Sequence, residues 1–209
     1  MNLLSLLDRL SAVDAPSDAA PRRRLLGQLG QAGVRAAAVA LPVALALPAQ
    51  ATIRATTLDA LLLLLKLEDL LAAFYTQGLA GVLSNAAQTA VRPDFERLLR
   101  QQQGHAQFLR TTVQNAGLTP PTAPSFDFSG RRNNSGSPVL FPNVMTDYDA
   151  FLQLAQQLED ASAGIYLGQA PNFAGEKKLF AAILRMQTVE ARHASHIRTL
   201  RRTAPRPPR

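Results

Sequence analysis

Leu67-Glu68-Asp69-Leu70-Leu71-Ala72-Ala73-Phe74-Tyr75 returns 91 residues later as Leu158-Glu159-Asp160-Ala161-Ser162-Ala163-Gly164-Ile165-Tyr166, with five identities in nine positions. A second pair of segments aligns in the same way. Gln102-x-x-His105-Ala106-x-x-Leu109-Arg110 matches Glu190-x-x-His193-Ala194-x-x-Ile197-Arg198 at an offset of 88. A difference of three residues in the intervening turn reconciles the two offsets. The same two-segment unit therefore occurs twice, and its periodicity is helical. Leu61, Leu64, Leu65, Glu68, Leu71, Ala72, Tyr75 and Leu79 recur at i+3 and i+4 along one stripe.

Extending outward from these segments gives four helices. The first is predicted from Leu58, behind Thr56-Thr57 and with Asp59 in its first turn, to about Ser84. Pro93, Asp94 and Glu96 open the second, which runs to Asn115-Ala116 and stops at Gly117. The third starts at Thr146-Asp147 and reaches about Gln169. The fourth follows a turn at Pro171-Asn172 and spans Phe173 to Arg202. Between Gly117 and Met145 lies a segment rich in proline, glycine, serine and asparagine, long enough to need a topological reason. Phe126, Phe128 and Phe141 are its candidate anchors. No stretch alternates as a strand would. Two helical hairpins joined by one long crossover make an all-α four-helix bundle.

The remaining composition narrows the chemistry. The chain has 209 residues, no cysteine and a net charge of +7. Without cysteine there is no disulfide scaffold, thiolate zinc site, iron–sulfur cluster or cysteine nucleophile. The positive charge sits at the ends: between Thr52 and Ile197, 12 basic residues meet 12 acidic ones. A neutral body with basic termini does not make a nucleic-acid surface. Lys66, Glu68 and Asp69 argue against the first helix as a membrane span.

Glu68, Gln102, His105, Glu159, Glu190 and His193 all fall near the middle of their helices. Antiparallel helices of similar length bring their midpoints to one level. Glu190 and His193 share a face at i,i+3 spacing. Acids placed in apolar stripes need a counter-charge, and carboxylate with imidazole suits iron or manganese. Tyr75 and Tyr166 are expected as core aromatics whose hydroxyls bond a buried carboxylate. His196 lies off the Glu190 face and is expected to be peripheral.

On these residues the chain resembles the ferritin-like superfamily, in particular its exported and desiccation-associated bacterial and plant members, over about Leu58 to Arg202. The resemblance implies Glu68 and Glu159 as single-helix ligands, and His105 and the Glu190–His193 pair as the histidine-bearing ligands. At Gln102 the pattern asks for a glutamate that bridges two metals. Glu159, Glu190 and His193 are therefore expected to hold one ion better than Glu68 and His105, sharing Glu190, hold a second. The implied function is metal, oxygen or peroxide handling, by a ferroxidase- or peroxidase-like oxidoreductase if the chain is an enzyme. The alternative is a non-catalytic stress or envelope protein that keeps the bundle and has lost the dinuclear site.

The first 51 residues look like an export leader. Arg22-Arg23-x-Leu25-Leu26 precedes an uncharged Ala36–Ala49 run that ends in Ala49-Gln50-Ala51, a small-x-small cleavage pattern. The order resembles a twin-arginine signal, with an uncleaved anchor or an alanine-rich coil as alternatives. The expected organisation is a leader over 1–51, a bundle over 52–203 and a basic tail over 204–209. It implies a periplasmic location, membrane contact only through the leader, and no nucleic-acid partner. Self-association is left open.

Overall fold

The computed structural model describes residues 55–131, 136 and 138–203. The leader and the tail lie outside them. Helix α1 spans Ala55–Ala80, α2 Arg92–Asn115, α3 Tyr148–Gln169 and α4 Lys177–Thr203. Short 3₁₀ turns cover Val82–Ser84, Ala86–Gln88 and Ala170–Phe173. The described residues form an all-α four-helix bundle: α1 pairs with α2, α3 with α4, and the long connection runs between α2 and α3. None of the described helices is long and apolar enough to cross a membrane.

Burial follows the leucine stripe. Leu61, Leu64, Leu65, Leu71, Phe74 and Tyr75 are fully buried, and Leu62 and Leu63 pack partly against the same core. Ala72, expected on the stripe, is only half-buried. Burying one such leucine contributes about 1.5–3 kcal/mol, which is what can offset the polar groups among them.

The helix ends depart from the sequence reading where distant contacts intervene. Helix α1 starts three residues early, at Ala55, so Asp59 lies beyond its first turn. Thr57 is buried and donates its hydroxyl to the Asn172 carbonyl (2.8 Å), which ties α1 to the α3–α4 turn. The helix also ends at Ala80 rather than near Ser84. A Cβ on Gly81 would lie 2.5 Å from the Met145 carbonyl oxygen, so the chain turns where the crossover crowds it. Helix α4 starts at Lys177 because Phe173, expected as its first residue, is buried at the end of a 3₁₀ turn.

Other signals read as expected. Gly117 takes φ +78°, donates to Gln114 O (2.8 Å), and is followed by Leu118 N donating to Val113 O (3.3 Å), closing α2. Asp147 caps α3 by accepting from Ala150 N (2.8 Å). Phe128 is buried edge-on against Phe74 and anchors the crossover, with Phe126 and Phe141 packed partly beside the core.

Candidate metal centre

Each helix brings its mid-length polar residue to the same level of the core. Glu68, Gln102, Glu159 and Glu190 have no solvent exposure, His193 has 4%, and the His105 side chain has 14%. Two groups of potential ligands form among the described residues. One is Glu68, His105 and Glu190; the other is Glu159, Glu190 and His193. In the first, His105 Nδ1 lies 3.3 Å from Glu68 Oε1 and 3.1 Å from Glu190 Oε1. In the second, His193 Nδ1 lies 3.6 Å from Glu159 Oε2 and 3.7 Å from Glu190 Oε1. Glu190 serves both. His196 stands apart, 3.3 Å from Asp94.

The two tyrosines cross between the hairpins. Tyr75 on α1 donates to Glu159 Oε1 on α3 (2.5 Å), and Tyr166 on α3 donates to Glu68 Oε1 on α1. The repeat extends to the rim, where Arg110 pairs with Asp69 and Arg198 with Asp160. Each of these ion pairs stays within its own hairpin, whereas each tyrosine–glutamate bond links the two.

Two contributors escaped sequence reasoning. Ser162 is buried and donates its hydroxyl to Glu190 Oε2 (2.8 Å). Its signal was present: it follows Glu159 by three residues and so shares that face of α3. Gln101 faces His193 Nε2 at 2.7 Å through its carbonyl oxygen. No signal marks it out of Gln101-Gln102-Gln103, because only the helix register decides which glutamine turns inward. The Gln101 carbonyl oxygen can only accept, so Nε2–H donates to it, and the contact orients the ring with Nδ1 turned toward the carboxylates.

Burial dominates the electrostatics. It pushes the Glu68 carboxyl up to about 8, helped by the Glu190 charge and opposed by His105. Glu159 is raised by burial and by Glu190, against the pull of His193 and Tyr75. At Glu190 burial acts upward too, but His105, His193 and Ser162 outweigh it and hold that carboxyl below its ordinary value. For His105 burial favours the neutral ring, yet Glu190 and Glu68 prevail and raise it to about 10. Both tyrosine hydroxyls are pushed well above their usual range by burial and by the carboxylates they bond.

These residues fit a divalent ion. Glu68 Oε2, Glu159 Oε2, Glu190 Oε1 and Gln102 Oε1 are buried without a hydrogen-bond partner. Leaving such atoms unpaired costs about 1–3 kcal/mol each, more when charged. Four orphaned oxygens beside two imidazoles form an oxygen- and nitrogen-rich donor set of the kind iron and manganese take.

Fold and site together define a carboxylate–histidine helical bundle, with ligands converging from both hairpins. The ferritin-like domain model matches residues 56–203, and the chain belongs to that family. A crystal structure described as ferritin-like, diiron-carboxylate proteins from Bacillus anthracis str. Ames is similar in fold. It has a TM-score of 0.55 at 22% identity, over 69% of this chain and 94% of that one. No curated protein matches the chain.

Proposed function

We propose that the chain binds iron or manganese in its bundle core, and that it works in handling the metal, oxygen or peroxide. Glu68, His105, Glu159, Glu190 and His193 are the ligands, with Gln102 at the remaining position. The observation that carries this reading is the convergence of orphaned carboxylate oxygens and two imidazoles in one dry layer. A bound ion of this kind supplies one-electron chemistry toward oxygen or peroxide. The chain's own residues bind and orient it: Tyr75 and Tyr166 steady Glu159 and Glu68, Ser162 steadies Glu190, and Gln101 orients the His193 ring. Two ions would make a ferroxidase- or peroxidase-like oxidoreductase; one would make a metal-holding protein. Export to the periplasm belongs to the same proposal and is supported by the Arg22-Arg23 leader pattern.

Gln102 favours a second reading, a stress or envelope protein that keeps the bundle without the chemistry. Anaerobic ferrous and manganous titration, with elemental analysis, separates the two. The metal reading expects bound ions in the wild type and none in Glu190→Leu, whose helical circular dichroism is retained. A wild-type chain that binds neither metal favours the second reading.

A further inference from the structure

The two ligand groups are not equivalent, and the difference lies in one atom. The repeat places Gln102 opposite Glu190. Glu190 gives the first group a carboxylate oxygen, 3.1 Å from His105 Nδ1. Its counterpart gives the second group an amide nitrogen: Gln102 Nε2 stands 3.3 Å from His193 Nδ1, from Glu159 Oε1 and from Glu190 Oε2. A point equidistant from two carboxylates and an imidazole nitrogen is where a cation would sit. The carboxylates also select which end of the amide faces them, since the carbonyl end would set its lone pairs against theirs.

We propose, building on the metal reading above, that the Gln102 amide occupies the second position in place of an ion, so that the chain loads a single ion at Glu68, His105 and Glu190. The donors divide in the same sense. Glu159 in the second group receives hydrogen bonds from both Gln102 and Tyr75, while the Ser162 bond to Glu190 is common to both groups. On the first, Glu68 receives only Tyr166; each group keeps one unpartnered oxygen of its own, Glu68 Oε2 and Glu159 Oε2, so the Gln102 amide is what separates them. An N–H directed into the second group repels a cation and already meets part of that group's demand for positive charge. The first group has no amide directed into it, and His105, with 14% exposure, is the most exposed ligand and gives an approach from solvent. The expectation that the Glu159–Glu190–His193 group is the better holder is thereby reversed.

The test loads the full chain with manganous ion and reads elemental stoichiometry and the electron paramagnetic resonance spectrum. The wild type should bind one ion, with the signal of an isolated manganous centre. Gln102→Glu should bind two, with an exchange-coupled signal. Glu68→Gln, close in shape, should weaken the wild-type ion about 100-fold or more, beyond the usual effect of an outer-shell change. His105→Asn is an independent removal with the same expected loss. Two ions in the wild type, or one that survives Glu68→Gln, overturn this inference and leave the metal reading standing. No ion in either the wild type or Gln102→Glu overturns both.

Discussion

Tyr75 and Tyr166 show how much a single hydroxyl carries here. Each donates to a fully buried carboxyl group on the opposite hairpin, so each is both a buried hydrogen bond and a strut between halves. Bonds of this kind contribute about 1.5–3 kcal/mol, and a carboxylate stripped of its donor costs more than a neutral group would. Tyr75→Phe and Tyr166→Phe should each lower the stability of the metal-free chain by about 1–3 kcal/mol in urea denaturation. A measured loss below about 0.5 kcal/mol would mean that the carboxyl group finds another partner when the hydroxyl is removed. Because the Tyr166 bond also orients Glu68, Tyr166→Phe should weaken manganous binding about 10- to 100-fold, whereas Tyr75→Phe, whose partner Glu159 lies outside the proposed ion position, should weaken it less.

Helices α1 and α3 approach closely at Gly78. A Cβ there would lie 2.3 Å from Phe151, whose ring is stacked on Phe74 at 4.8 Å and edge-on to Phe95 at 5.4 Å. That ring has nowhere to go. Gly78→Ala should therefore destabilise the bundle by about 1–3 kcal/mol, despite the better helix propensity of alanine. Phe151→Leu in the same chain should recover part of the loss, and thermal melts of both variants check this. A more stable Gly78→Ala would show that the two helices can separate without cost. The same close approach marks a limit of the sequence. Helix count, pairing and crossover were legible because leucine spacing, Pro93, Gly117 and the Leu-Glu-Asp repeat are local signals. Gly78 looked like any mid-helix glycine, and its reason sits 73 residues away in Phe151. The early start of α1 has the same character, since Thr57 answers to Asn172. Among site residues, Glu68 and His193 were legible as repeats, whereas the inward turn of Gln101 depends on register alone.

For the whole molecule, the buried layer couples stability to pH. Glu68 ordinarily ionises near 4.5 and does so at about 8 in the fold, so the native metal-free chain keeps a proton that the unfolded chain releases. Stability must then fall as pH rises between those values. His105, raised from 6.5 to about 10, contributes stability that is complete below 6.5 and is lost as pH climbs through 10. Both act in one direction. The metal-free melting temperature should drop by roughly 10 °C between pH 5 and pH 9. Metal competes with these protons, so stabilisation by saturating manganous ion should grow over the same range. Calorimetry of the two forms at three pH values checks both trends; a metal-free melting temperature that rises with pH would contradict the assignment.

The tyrosine–glutamate struts are reciprocal: what the first hairpin offers the second, the second offers back. A surface that is complementary to its own copy is the hallmark of an isologous dimer, so the two hairpins meet as the subunits of such a dimer would, within one chain. In this chain position 102 differs from its repeat partner at 190, while the struts and the Asp–Arg pairs are the same in both halves, so the twofold likeness of the bundle is broken at a position that faces the ligands.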